Sequence, residues 1–150
     1  MVYKWRKGSR LVGDAKEIGE YLEELGEKSG LLTPEIVLED ARKKRSPLHG
    51  YFEWDDGSAA ESWRIQQARM LVSCIVVVEK GVPEVRAFVS VVREGEDKPT
   101  YTSIVKAIRD DSLREQLLAR AKRDLEDWRD RYHDLEEFAK VFRAIEEVVR

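Results

Sequence analysis

The chain has 150 residues, 42% of them apolar and 38% charged, with a formal net charge of −3. That length supplies about one domain with a core of its own, and so high a charged fraction favours long, solvent-facing helices over a thick α/β core. The balance excludes a uniformly basic polyelectrolyte, and no apolar run reaches the roughly 20 residues of a membrane-spanning helix.

The first residues, Val2-Tyr3-Lys4-Trp5-Arg6, alternate loosely and read as a short strand or a basic arm. Lys4, Arg6, Lys7 and Arg10 give this segment four cations and no acid. Asp14 is placed to cap a helix over about 15–26, with Ala15, Ile18, Gly19, Leu22 and Leu25 on one stripe. Thr33-Pro34-Glu35 opens a second helix with a hydroxyl cap, proline in the first turn and an acid at the positive end. It runs into Arg42-Lys43-Lys44-Arg45. Two helices across a short glycine-containing turn make a weak helix-turn-helix pattern, which any packed helix pair shares.

The densest segment runs from Ser46-Pro47-Leu48-His49 through Tyr51-Phe52-Glu53-Trp54-Asp55-Asp56-Gly57. Asp55-Asp56-Gly57 is a turn signal. Ser58 and Glu61 have capping-box spacing for a helix over about 59–72, with Trp63, Gln67, Met70 and Leu71 on one side. The β-branched run 74–79 and the segment 85–93 read as a hairpin joined through 80–84. Its second strand sets Val85, Ala87, Val89 and Val91 against Arg86, Phe88 and Ser90. Two strands alone are marginal, so a third is expected from Val2–Trp5 or from Thr100–Thr102. A short helix over 103–109 precedes a long helical pattern over about 113–149 without glycine or proline. Ala121, Leu125, Trp128, Tyr132, Leu135, Ala139 and Phe142 form a heptad seam. The pattern fits one helix of roughly 55 Å, or a helical hairpin broken near Tyr132-His133-Asp134. The expected fold is one α+β domain: mainly helical over 1–72, a small antiparallel sheet over 73–102, and C-terminal helices over 103–150.

Three functional readings follow. The basic segments offer phosphate contacts from Lys4, Arg6, Lys7, Arg10, Arg42, Lys43, Lys44 and Arg45, with Arg64 and Arg69 beside them. This reading makes the chain a non-enzymatic DNA-binding or DNA-transaction accessory protein. Tyr51, Phe52 and Trp54 offer a partner-binding patch, or else a satellite core that pins the loop. His49, Glu53, Asp55 and Asp56, with Glu61 nearby, would form a metal site for phosphodiester chemistry, although their spacing fits neither an EF-hand nor a zincin. Their plainer reading is turn and cap chemistry. No nucleophile has a locatable histidine partner and no glycine-rich phosphate loop is present, so no cofactor is expected. The C-terminal seam serves either packing within the chain or a homo-oligomer. The lone Cys74 reads as a small buried hydrophobe in a reducing compartment. The polar, basic N-terminus lacks an apolar signal region, and a cytoplasmic protein without a membrane partner is expected.

Leu32-Thr33-Pro34-Glu35, Ser46-Pro47-Leu48-His49, Phe52-Glu53-Trp54-Asp55-Asp56, Ala59-Ala60, Gln67-Ala68-Arg69 and the segment 85–91 resemble a family of short proteins encoded in phages and prophages. The resemblance covers most of the chain. It implies a bacterial host cell as the setting, and DNA, a phage protein or a host protein as partner. It carries no activity.

Overall fold

The computed structural model describes residues 2–57 and 60–150. The fold is α+β, and the chain divides into two compact units, one up to Ala107 and one over Ile108–Arg150. The first unit contains β1 (Val2–Trp5), α1 (Ala15–Ser29), α2 (Pro34–Ala41), a 3₁₀ turn at His49–Tyr51 and α3 (Ala60–Ser73). It continues with β2 (Ile75–Glu79), β3 (Val82–Arg86), β4 (Phe88–Val91) and β5 (Thr100–Ser103). The division between units falls inside α4 (Ile104–Arg109). The second unit holds α5 (Asp111–Tyr132), a 3₁₀ turn at Glu136–Phe138 and α6 (Ala139–Val149). No helix among the described residues is long and apolar enough to cross a membrane.

The helix starts follow the cap chemistry of the sequence. Asp14 Oδ1 accepts from the amides of Lys16 and Glu17 at 2.9 and 3.4 Å. Thr33 Oγ1 accepts from Ile36 N at 3.2 Å, with Pro34 in the first turn. Each such cap supplies a partner to an amide that no helical carbonyl reaches, worth about 1 kcal/mol. Gly30 ends α1 at a φ of +79°, where a side chain would be strained. Ala15, Ile18, Gly19 and Leu22 are the buried stripe of α1. Glycine is required at position 19 because a Cβ there would overlap the ring of Tyr3. Tyr3 lies over Gly19, donates to Glu23 Oε2 at 2.7 Å and stacks parallel to Phe88 with ring centres 6.3 Å apart.

The strands form two antiparallel sheets, ordered β1-β2-β3 and β4-β5. Both segments offered as a third strand are therefore used, one in each sheet. The 85–93 strand of the sequence reading is broken at Ala87. Ala87 N donates to Ile75 O at 3.0 Å, and Ala87 O accepts from Ile104 N at 2.8 Å. Beyond this break the alternation slips: Ala87 and Phe88 are both buried, whereas Val85 is exposed. The strict two-residue face assignment for 85–91 is thus corrected, because the backbone leaves the first sheet and enters the second. The turn into β3 is only Lys80-Gly81, with Gly81 at +80°, so Val82, Pro83 and Glu84 belong to the strand rather than to the connection. Pro83 is tolerated because β3 is an edge strand.

Leu22, Leu48, Leu71 and Ile75 are fully buried in one core that joins α1, α3, the segment after α2 and the first sheet. The face expected on α3 is also corrected. Trp63 and Met70 are exposed, and Arg64, Ala68, Leu71 and Val72 face inward. Cys74 is buried as expected. The long C-terminal pattern folds as two helices. His133 Nδ1 sits 2.8 Å from Asp130 O, and the chain turns through extended Leu135 into α6.

Replacing Gly19 by alanine is expected to destabilise the first unit by about 1–3 kcal/mol, because neither the helix backbone nor the Tyr3 ring can yield without losing packing. Urea unfolding would show a lowered midpoint, and Gly26→Ala, at a less crowded position of the same helix, is the control.

Candidate functional site

The Ser46–Gly57 segment is held by two polar locks. The first is Asp40, which is buried and accepts from Ser46 Oγ at 2.6 Å and from Tyr21 Oη at 2.9 Å. Burial holds the Tyr21 phenol above its ordinary range, and the bond to Asp40 adds to this, so it remains a neutral donor. Ser46 Oγ also accepts from Leu48 N at 3.1 Å. That bond turns the chain so that Leu48 enters the core. His49 Nδ1 lies 2.7 Å from Ala41 O, which assigns the proton to Nδ1 because a carbonyl only accepts.

The second lock is Arg64, only 5% exposed although it carries a guanidinium. Its Nε donates to Glu53 O at 2.8 Å, and its Nη2 donates to Asp55 O at 3.3 Å and reaches Asp56 Oδ1 at 3.5 Å. Glu61 Oε2 stands 3.9 Å from Nη1. The guanidinium carbon lies 5.1 Å from the centre of the Trp54 ring. Trp54 stacks on His49 with ring centres 4.8 Å apart and donates Nε1–H to His49 O at 2.9 Å. Gln67 Oε1 accepts from Glu53 N at 3.1 Å. The fork of donors on Arg64 thus matches carbonyls that a loop could not otherwise satisfy.

These locks reassign several residues of the sequence reading. Arg64 is an interior residue rather than a phosphate contact, because its donors are spent on the loop. Arg42 forms a two-oxygen bond to Glu61 at 2.8 and 2.7 Å and pairs with Glu39, and Lys43 pairs with Asp40. Both belong to ion pairs, whereas Lys44 and Arg45 are exposed. Phe52 is a core residue, and Tyr51 donates to Val12 O at 2.7 Å and packs on Trp5. The aromatic loop therefore forms a satellite core, with Phe52 buried and Tyr51 and Trp54 half-buried against it. His49, Glu53, Asp55 and Asp56 do not converge. Among the described residues no group of three or more histidine, cysteine, aspartate or glutamate side chains is arranged to hold a metal. The partner proposed for Glu61 in a capping box, Ser58, lies outside the described residues. The exposed side chains of α2 include Glu35 and Glu39, so the second helix of the helix-turn-helix pattern presents acids where a groove-reading helix needs donors.

A second region gathers cations. Lys4, Val76 and Arg86 are direct partners across β1-β2-β3 and share the face opposite Tyr3 and Val77. Arg6 continues the row, its Nη2 3.8 Å from Cys74 Sγ. Arg69 and Lys98 line a cleft of about 520 Å³ with Tyr101, Thr100 and Glu35, at the capped N-terminus of α2. Burial lifts the Tyr101 phenol above its ordinary range, while the positive charges of Arg69 and Arg86 pull it down. Lys4, Arg69, Arg86 and Lys98 are exposed and in no ion pair among the described residues. Sequence reading included Lys4, Arg6 and Arg69. It missed Arg86 and Lys98, since their alignment with the others depends on strand register and on where the β4-β5 loop returns.

No protein-family model, no curated protein and no solved structure matches this chain.

Replacing Arg64 by alanine is expected to cost about 2–4 kcal/mol, because two loop carbonyls, those of Glu53 and Asp55, lose a charged donor in a closed site. Chemical denaturation followed by tryptophan fluorescence would show the lowered stability. Arg64→Lys should recover less than half of the loss, as an ammonium cannot serve the same fork of acceptors.

Proposed function

We propose that this chain is a non-enzymatic nucleic-acid-binding protein, of the phage-type accessory class implied by its sequence pattern, acting in the cytoplasm of a bacterial host. One observation carries the reading: four exposed cations stand outside the ion pairs of the described residues, Lys4 and Arg86 on one face of the first sheet and Arg69 and Lys98 in the cleft at the start of α2. Acids stand near these cations too: Glu84 is two residues before Arg86 on the same exposed strand, and Glu35 is in the cleft wall. The net charge of −3 is compatible with such a set, because the acids of α1 occupy a different element. Phosphate contacts of this kind supply affinity and orientation without base readout.

A second reading, a protein-interaction module, is favoured by the half-exposed apolar side chains Leu118, Leu125 and Tyr132 on α5 and Val141 and Val148 on α6. It uses a different unit of the chain and is compatible with the first.

Fluorescence anisotropy with labelled duplex and single-stranded DNA over a salt series tests the nucleic-acid reading. The logarithm of affinity should fall linearly with the logarithm of salt, and Arg69→Glu with Arg86→Glu should weaken binding by roughly 10–100-fold while flattening the slope by about 2. Reversal of Arg42 should leave the slope unchanged, as that side chain is already paired. Binding that ignores both salt and the double reversal refutes the reading.

A further inference from the structure

We propose that the Ile108–Arg150 unit docks against the same unit of a second copy of this chain, joining two helical hairpins into a four-helix arrangement. The hairpin is closed on one side by aromatic rings. Trp128 lies 5.7 Å from Phe142, 5.5 Å from Phe138 and 5.5 Å from Tyr132, centre to centre. Within the unit only Leu113 and Ile145 are buried. Two helices with so little enclosed surface lack the core that independent stability requires.

On each helix the apolar stripe that carries the aromatic cluster also leaves side chains exposed. On α5, Leu118, Leu125 and Tyr132 recur every seventh residue, and on α6, Val141 and Val148 do the same. These five remain between 37 and 56% exposed. A seven-residue recurrence is the signature of a seam that follows another helix over several turns. Four-helix bundles use such seams on two sides of every helix.

The occupant follows from self-complementarity. A row of this pitch and side-chain size is matched by the same row around a two-fold axis. Together with Leu135 and Phe138 at the turn, the row offers on the order of 600 Å² per chain, close to the roughly 800 Å² that each partner gives to a standard interface. The proposal rests on none of the basic residues and stands apart from nucleic-acid binding.

The test is the mass of the full chain, free of nucleic acid, by light scattering and sedimentation over a concentration series. The expected mass is twice the 17.4 kDa of one chain at micromolar concentration. Leu118→Glu with Leu125→Glu is expected to weaken association by about 100-fold or more and to leave the helical circular dichroism intact, because neither side chain belongs to the aromatic cluster. Val148→Glu, on the other helix and near its end, decides the matter if the double variant unfolds: a weakened dimer supports the proposal. A wild-type monomer at roughly 100 μM, or a dimer whose mass these charges do not change, overturns it.

Discussion

The buried guanidinium of Arg64 is the interaction around which the first unit is organised. It occupies a position on α3 that ordinarily belongs to an aliphatic side chain, between Trp63 outside and Ala68 and Leu71 inside. Its charge is tolerated there because the loop turns main-chain oxygens of Glu53 and Asp55 toward it and Trp54 offers its ring. Glu61 then links α3 to α2 through Arg42. The dense segment after α2 is thus a fixed corner of the fold. Its serine, histidine and aromatics hold that corner, together with main-chain oxygens of Glu53 and Asp55.

Close backbone approach is the complementary constraint. Gly19 lets α1 lie on Tyr3 of the first strand, and Tyr3 in turn stacks on Phe88 of the second sheet. Ala87 passes the chain between the two sheets while its amide and carbonyl keep partners in β2 and at the start of α4. The core is therefore shared by both sheets. On the other face of β1-β2-β3 the exposed Lys4 and Arg86 flank the buried Val76.

The proposed function is accordingly placed away from the motif that draws the eye. The paired and interior cations, Arg42, Lys43 and Arg64, serve the fold, whereas the proposed phosphate contacts come from strands and a loop return that are scattered along the chain. The C-terminal unit adds surface of another kind, apolar and regularly spaced. A protein that grips a polyanion weakly through few cations gains from pairing two such faces, since linked contacts raise the effective concentration of the second. The two proposals are physically compatible on this ground and stand independently.

Local chemistry was legible in the residues alone. Asp14 and Thr33-Pro34 mark helix starts because caps act over a few residues, whereas the residues alone left one long C-terminal helix and a hairpin broken near His133 both open. The β-branched run of β2 and the burial of Cys74 were legible for the same reason. Tertiary structure alone decided that the strand after Val85 splits between two sheets, that Arg64 points inward, and that Arg69 and Lys98 line one cleft. Those outcomes depend on which carbonyls, rings and charges a residue meets from distant parts of the chain. Periodicity reports how often a side chain returns to a face, and it holds no information on what that face encounters.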